Sequence, residues 1–302
     1  MSMGRVSAVG EVCSALLNKK TQDPAVFETE ESMELKELRQ KPHLSASSIN
    51  DYLDCGLLYK LGRILKLQPE IRPDALEFGS IMHRVLAEFY KHKLEGEIVP
   101  LLDLQILFEA WWRKATESGP ELTYKDGKDA EKLLQDGKNL LFAYYRKLPR
   151  DDFNVLAIEE PFRFTLPYLP IPIIGVLDLV EEDESGAIII TDWKTASKSY
   201  SEEEVNKNLQ LTVYHMAARA NGYRDREILM RFHCLIKTKA PKFEEYYTTR
   251  SEMDEMRAMK KIRHVWRGIS KSVFIPNESW KCKGCSYRNA CDEWFKEEDQ
   301  SL

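Results

Sequence analysis

The sequence predicts an α/β fold. Segments with helical periodicity alternate along the chain with short runs of strand-forming residues, a pattern typical of mixed folds. Two of these runs, at residues 175–180 and 188–193, flank an acidic turn over residues 181–186 and predict a β-hairpin. The chain has 302 residues and 43% hydrophobic content, which is enough to bury a substantial core.

The first elements are predicted to be an arm and two helices. Residues 1–43 are polar and charge-rich, so we expect an arm appended to a domain over residues 44–302. A helix is expected to begin near Ser47 or Ser48, because several serines there can act as N-caps. Pro73 precedes a second helix over residues 74–94, which contains His83. Its predicted apolar face consists of Leu76, Ile81, Val85, Leu86 and Phe89.

Residues 101–148 are interpreted as a helical insert. Two helical patterns fall within it, around residues 106–115 and 130–147. Its aromatic residues are expected to pack in the core rather than to stack on bases; they are Trp111, Trp112, Phe142, Tyr144 and Tyr145. The later elements are predicted as a strand over 153–166, the hairpin, a helix over 201–220, strands over 228–236 and 244–249, and a helix over 251–269.

The hairpin carries the residues that point most directly to chemistry. Asp178 and Asp192 occur in its two strands, so pairing of the strands would bring the two carboxylates together. Two close carboxylates repel each other unless a cation or hydrogen-bond donors compensate, and hard divalent cations prefer oxygen ligands. Lys194 follows Asp192 by two residues and therefore projects from the same face of the strand. A cation beside an ammonium group is suited to phosphodiester hydrolysis.

Four of the six cysteines have the character of metal ligands. Cys282, Cys285 and Cys291 form a close triplet, and Cys55 lies far upstream. Four thiolates could hold zinc or an iron-sulfur cluster, and their spacing does not decide between the two. We expect the neighbouring aromatic residues to shield a compact loop; they are Trp280, Tyr287 and Trp294, with Pro276. Cys13 is interpreted as a free thiol in the arm and Cys234 as a small buried residue.

Composition limits the location and the partners of the protein. No run approaches the ~20 apolar residues that a membrane span requires, so no membrane association and a cytoplasmic location are expected. The net charge of −5 provides no bulk attraction to nucleic acid. Binding to DNA would require a local basic surface, for which the late helix offers Lys260, Lys261, Arg263, His264 and Arg267. Such a run more often forms a solvated helix face than a binding surface.

The ordered motifs resemble those of a known family. They are Gly79-Ser80-Ile81-Met82-His83, Gly175-Val176-Leu177-Asp178, Asp192-Trp193-Lys194 and Gln210-Leu211-Thr212-Val213-Tyr214. In their order and spacing the chain resembles the RecB-like, iron-sulfur branch of the PD-(D/E)XK nuclease superfamily. It is similar to CRISPR-associated adaptation nucleases and to the AddB nuclease domain over residues 44–294.

The resemblance implies a restriction-endonuclease-like core, a central mixed sheet flanked by helices, with a cluster-binding segment at residues 276–296. It implies a [4Fe-4S] cluster held by Cys55, Cys282, Cys285 and Cys291. Mg2+ or Mn2+ would be held by His83, Asp178, Asp192 and the backbone carbonyl of Trp193. Lys194, Gln210 and Tyr214 would be the catalytic residues. Gln210 and Tyr214 lie about one helical turn apart and share a helix face, and the resemblance implies that this face covers the site.

The function implied by this resemblance is metal-dependent cleavage of DNA, as a single-strand exonuclease or end-trimmer in repair, recombination or CRISPR adaptation. The partners would be DNA with single-stranded ends and a helicase or adaptation protein, because no phosphate-binding loop of a helicase occurs in the chain. Two alternatives stay open. One is a non-catalytic iron-sulfur subunit that binds DNA within a larger complex, and the other is a nuclease that acts on RNA.

Overall fold

The computed structural model describes residues 33–118, 121–125, 127–147 and 153–296. Residues up to Pro42 and residues from His43 onward form two separate units. In the first unit the described part contains helix α1, Met33–Gln40. Most of the predicted arm, including Cys13, lies outside the described residues. The second unit contains all the elements discussed below.

The second unit combines one main sheet with helices on both of its faces. The strands are β1 Arg72–Pro73, β2 Leu122–Thr123, β3 Asn154–Phe164, β4 Ile173–Glu182, β5 Ile188–Ala196, β6 Ile228–Ile236 and β7 Lys242–Thr248. The α-helices are α2 Ala46–Asp54, α3 Gly56–Tyr59, α4 Asp74–Leu94, α5 Leu101–Glu117, α6 Ala130–Arg146, α7 Glu202–Asn206, α8 Leu209–Ala218, α9 Glu252–Ser270 and α10 Arg288–Trp294.

The main sheet has five strands in the order β3-β4-β5-β6-β7. Neighbouring strands are antiparallel except β5 and β6, which are parallel. The predicted hairpin is present, and Leu179 pairs with Thr191 in its register. Its turn is closed by Asp183 and by Gly186, whose φ of +87° favours glycine. The sheet is therefore mixed, as the restriction-endonuclease-like expectation required.

Helices cover the sheet because each strand alternates apolar residues between two cores. On one face, α2, α8 and α9 pack over residues such as Ile190 and Phe232. On the other face, α4, α5 and α6 pack over residues such as Leu179 and Trp193. Burying side chains of this size stabilises a fold by about 1.5 to 3 kcal/mol each. The helices of the predicted insert therefore form much of the second core.

A buried polar network crosses the second core. Arg231 of β6 is fully buried and forms an ion pair with Glu181 of β4 and a hydrogen bond to Thr191 of β5. His233 contacts the Tyr144 hydroxyl through Nδ1 at 3.1 Å and Glu245 through Nε2 at 3.0 Å. Charged groups in such a position require partners, because an unpaired buried charge is costly. The network ties four strands, β4 to β7, and helix α6 together.

The last segment of the chain packs against the first helices of the unit. The Gly56 amide donates to the Ile275 carbonyl at 2.9 Å. A Cβ atom at Gly56 would lie 2.7 Å from the Ile275 amide nitrogen, so only glycine permits this approach. Nearby, the Tyr52 hydroxyl donates to the Val273 carbonyl at 2.6 Å. The two ends of the unit are thereby joined at Cys55.

Three expectations about individual segments were wrong. The helix predicted over residues 201–220 is two helices, because Asn208 adopts an extended conformation and caps α8 with its side chain. Leu76 is 72% exposed, since it lies on the side of α4 opposite the buried Phe78 and Met82. In the insert, Trp112 and Tyr144 are buried as expected, whereas Phe142 is 47% exposed.

Trp280 takes no part in the aromatic shield expected around the cysteine triplet, because it is 80% exposed, whereas Tyr287, Trp294 and Pro276 are half-buried. Cys234 is fully buried, as predicted. Among the described helices, none combines the length and the apolar character needed to cross a membrane.

Candidate active site

The hairpin brings Asp178 and Asp192 to one place on the sheet. The Asp178 carboxylate accepts a hydrogen bond from the Trp193 amide at 2.9 Å, which ties β4 to the residue that follows Asp192. Asp192 is 1% exposed, because it lies in the central strand β5 under helix α8. Lys194 projects from the same face and places its ammonium 2.6 Å from Asp192 Oδ2. The strand period thus produces the carboxylate and ammonium pairing that the sequence predicted.

Helix α8 contributes Gln210 as a bridge between the charged residues. The Gln210 amide donates to Asp192 Oδ1 at 2.7 Å and its oxygen accepts from Lys194 Nζ at 2.9 Å. The same amide group lies 2.7 Å from the Tyr214 hydroxyl, one turn further along the helix. Gln210 therefore holds Asp192, Lys194 and Tyr214 in one hydrogen-bonded set.

His83 reaches this set from helix α4. Its Nδ1 atom lies 3.4 Å from Asp178 Oδ2, and its ring packs edge-on against the Trp193 indole with a centroid distance of 5.8 Å. Trp193 is itself buried and stacks on Tyr90, which lies on α4 as His83 does. The indole therefore fixes α4 against β5, and the histidine is held at the edge of the carboxylate pair.

Burial and neighbouring charges shift the pKa values of the site residues in different directions. Burial raises the pKa of Asp192 to about 6, Lys194 opposes this shift, and Asp178 adds to it. Burial would also raise the pKa of Asp178, but His83 and the Trp193 amide lower it below its usual range. The pKa of His83 would be lowered by burial, yet the carboxylates raise it. The two acids therefore differ in character, and Asp192 is the one whose charge is poorly compensated.

The residues present fit a hard divalent cation. Asp192 Oδ2 is buried and, among the described residues, receives no hydrogen bond of acceptable geometry, although the Lys194 ammonium lies near it. A buried carboxylate oxygen without a hydrogen bond favours a cation beside it. Two carboxylates, an imidazole nitrogen and a backbone carbonyl form a donor set that Mg2+ and Mn2+ accept. The four ligands that the resemblance implies are therefore kept as candidates.

The four cysteines lie where the last segment meets the first helices. Cys55 Sγ accepts hydrogen bonds from the Leu58 amide at 3.5 Å and from the Asn277 amide at 3.4 Å. Cys282 Sγ accepts from the Ser279 amide at 3.4 Å. Burial raises the pKa of Cys291, and the charges of Cys55 and Cys285 add to this shift, so both lie within electrostatic reach of Cys291. Amide donors to sulfur are a common feature of cysteines that bind metals.

The basic run predicted on the late helix is exposed. Its members on helix α9 are Lys260, Lys261, Arg263, His264 and Arg267. Helix α9 is anchored to α8 by Glu255, which contacts His215 at 2.9 Å and Arg219 at 2.8 Å. The basic surface is therefore carried by a helix that packs on the one containing Gln210.

Arg250 supports the site and was not singled out from the sequence. It is 8% exposed and donates to Thr212 Oγ1 at 2.8 Å and to the Val205 carbonyl at 3.0 Å. These bonds fix the turn at Asn208 that starts α8, and therefore the position of Gln210. A lone arginine in a polar stretch gives no sequence signal. By contrast, Arg231 interrupts an apolar strand. A charge in that position predicts a buried ion-pair partner, so the sequence did contain a signal for this residue.

Comparison with known proteins gives three findings. The family model described as the PD-(D/E)XK nuclease superfamily matches residues 43–292. The Gene 69 protein of Mycobacterium phage D29 is 28% identical over 281 residues, which cover 83% of this chain and 96% of the phage protein. The crystal structure of a candidate exonuclease from Eubacterium rectale is similar in fold with a TM-score of 0.54, 12% identity and coverage of 86% of this chain and 92% of that one.

Proposed function

The chain belongs to the PD-(D/E)XK nuclease superfamily, and on this premise we propose that it is a metal-dependent deoxyribonuclease that hydrolyses phosphodiester bonds from single-stranded ends. The family match supports a nuclease, and the fold it shares with a candidate exonuclease is consistent with one. The observation that carries the proposal is the hydrogen-bonded set of Asp192, Lys194 and Gln210 beside Asp178 and His83.

In this proposal His83, Asp178, Asp192 and the Trp193 carbonyl hold Mg2+ or Mn2+. Nucleases of this superfamily usually use divalent metals. The cation would make water more acidic and offset negative charge on the phosphoryl oxygens. The imidazole nitrogen favours Mn2+ relative to a site made of oxygens alone. The buried oxygen Asp192 Oδ2 supports this assignment, because among the described residues it receives no hydrogen bond of acceptable geometry, although the Lys194 ammonium lies beside it.

Lys194 and Gln210 are proposed to act on the phosphate and on the attacking water. Lys194 is 23% exposed, so its ammonium can face a substrate while Asp192 and Gln210 hold it from below. In that position it neutralises charge that develops during the attack. Gln210 fixes the direction of the ammonium, and Tyr214 fixes Gln210. Burial raises the pKa of Tyr214 well above its usual range, so its hydroxyl remains a neutral hydrogen-bonding group.

We also propose that Cys55, Cys282, Cys285 and Cys291 hold a [4Fe-4S] cluster, as in the RecB-like iron-sulfur branch. The amide donors to Cys55 and Cys282 support bound thiolates. The cluster would be structural, because it would connect residues at the two ends of the unit. Cys55→Ala is expected to yield colourless protein without iron and with lower thermal stability, whereas Cys234→Ala keeps its iron. Anaerobically purified wild-type protein without iron contradicts the assignment.

The substrate is proposed to be DNA with a single-stranded end. The exposed side chains of Lys260, Lys261, Arg263 and Arg267 on α9 would follow its phosphate backbone. A duplex would have to be opened by a helicase or another partner, and the setting would be cytoplasmic repair, recombination or CRISPR adaptation. Replacing two of these basic residues by glutamine should weaken binding more at low salt than at high salt.

The experiment that tests the function is a cleavage time course. End-labelled single-stranded DNA, double-stranded DNA and single-stranded RNA of one sequence are incubated with Mg2+, Mn2+ or EDTA. We expect wild type and Glu184→Gln to shorten single-stranded DNA with metal only, and Asp192→Asn to be inactive. Glu184 is the matched control because it is an exposed carboxylate in the turn of the same hairpin.

Folded, iron-containing protein that cuts none of these substrates with either metal refutes the proposal. Retained DNA binding in that case would assign the chain to the class of non-catalytic subunits. Faster cleavage of RNA than of DNA would refute the choice of substrate.

A further inference from the structure

A row of aromatic residues crosses the sheet, starting beside the carboxylate of Asp192. In the sheet register Phe232 of β6 lies opposite Asp192, and Tyr246 of β7 lies opposite Phe232. Residues paired in this way share one face of the sheet. The Lys194 ammonium lies 5.5 Å from the centroid of the Phe232 ring. The row therefore leads from the candidate metal site to the edge strand β7.

Tyr200 covers this row from the segment that follows β5. Its ring centroid lies 5.5 Å from that of Phe232 and 6.3 Å from that of Tyr246. Phe232 is fully buried, whereas both tyrosines are half-buried. Burial raises the pKa of Tyr200. The Lys194 ammonium lowers this pKa, so the phenol lies within electrostatic reach of that ammonium. Tyr200 thus stands near the group proposed to face the phosphate, and Tyr246 contacts Tyr200.

The two tyrosines are held in place by a polar link. The Tyr246 hydroxyl donates to Glu244 Oε2 at 2.6 Å, and Ser199 donates to Glu244 Oε1 at 3.1 Å. Ser199 precedes Tyr200, so the segment that carries Tyr200 is tied to β7. Rings fixed before binding lose little entropy when a ligand stacks on them.

The charges around the rings are balanced, which indicates recognition by stacking. Lys242 pairs with Glu244 at 2.5 Å, and Lys198 lies 3.6 Å from Glu204. A planar, uncharged group attached to a phosphate is the ligand that this surface fits, and an unpaired nucleobase has that form. A base within a duplex has both faces covered by its neighbours and is not available for such a contact.

We propose that Tyr200 and Tyr246 form a stacking platform for the unpaired nucleobase next to the phosphate that Lys194 faces. The proposal rests on the proposed function and adds a physical basis for preferring single strands. Stacking on aromatic rings tolerates every base, so the platform selects unpaired ends and not sequence.

Binding to single-stranded DNA and to an abasic strand of equal length tests the platform. Fluorescence anisotropy in EDTA is used, so that no cleavage occurs. Removing a base from a stacking ring weakens binding by about 5- to 150-fold. We expect wild type and Tyr200→Phe to bind the abasic strand more weakly than the normal strand by this factor. Tyr200→Leu, which keeps apolar bulk without a ring, should bind normal DNA more weakly by the same factor and should not lose further affinity on the abasic strand.

If Tyr200→Leu weakens binding to the normal and the abasic strand equally, or weakens neither, the platform is overturned. If this variant does not fold, photo-crosslinking of wild type to DNA that contains 5-iodouracil decides, since adducts are expected at Tyr200 or Tyr246 and adducts solely elsewhere overturn the proposal. Failure of the proposed nuclease would appear separately, as wild type that binds with the expected base dependence but does not cut DNA with Mg2+ or Mn2+.

Discussion

Replacing Asp192 by asparagine should stabilise the metal-free protein while it abolishes activity. The Asp192 side chain is 1% exposed, and burial raises its pKa from an ordinary value of 3.8 to about 6. This shift already includes the attraction of Lys194 and His83 and the repulsion of Asp178. The folded state therefore binds the proton more tightly than the unfolded state, and stability is lost as the pH rises through this pKa.

The size of the effect follows from the shift. A difference of about 2 pKa units corresponds to about 3 kcal/mol of destabilisation by the charged form above pH 6. Asparagine removes the charge and keeps an oxygen that can accept from the Gln210 amide. For a domain of this size, about 3 kcal/mol corresponds to a rise in Tm of roughly 6 to 12 °C.

The assay is thermal unfolding at pH 7.5 in EDTA and in excess Mn2+. In EDTA, Asp192→Asn should unfold at a higher temperature than wild type and than the control Glu184→Gln. Mn2+ should raise the Tm of wild type and of the control, because it binds only the folded state, and should leave Asp192→Asn nearly unchanged. Lower stability of Asp192→Asn in EDTA, or an equal response of all three proteins to Mn2+, would refute the account of the site.

Three further predictions concern the supporting structure. Gly56→Ala should lower the Tm and expose the last segment to trypsin, because its Cβ would meet the Ile275 backbone at 2.7 Å; an unchanged digestion pattern would show that the segment can shift. Burial lowers the pKa of His233 well below its usual range, so protonation of this residue in the unfolded state should contribute a loss of about 2 kcal/mol of stability between pH 7.5 and 5. His233→Asn removes this contribution, so in urea titrations over that range its free energy of unfolding should change more favourably than that of wild type by about the same amount. Arg250→Lys should lower the free energy of unfolding by about 2 kcal/mol, because an ammonium cannot bind both Thr212 and the Val205 carbonyl in the geometry of the guanidinium. A variant with unchanged stability and unchanged kcat would contradict the positioning role of Arg250.

Local patterns predicted the elements that hold the charged residues. The hairpin was predictable because apolar runs and a turn with a required glycine are short-range signals. Helix α4 was predicted at Asp74–Leu94, because its period is strong and a proline precedes it. These two elements place Asp178, Asp192 and His83, so most of the candidate site followed from the sequence.

Features that depend on distant partners were not predictable in the same way. The break between α7 and α8 arises because Asn208 caps the second helix and Arg250 binds the carbonyls of the turn. The exposure of Trp280 depends on how the last segment packs against α2 and α3, which its own composition does not encode. The aromatic row from Phe232 to Tyr246 requires the register of three strands and the fold of the following segment.

During synthesis the surface around Cys55 stays uncovered until residues 273–277 have been made. The Tyr52 hydroxyl donates its hydrogen bond to a residue 221 positions later, and Tyr59 stacks on the ring of Phe274. Contacts of such long separation form late in folding. A chain that stops before residue 273 would leave these aromatic groups uncovered, and exposed apolar surface of this kind leads to aggregation or proteolysis. The survival of the protein therefore depends on translation past residues 273–277, which cover this surface.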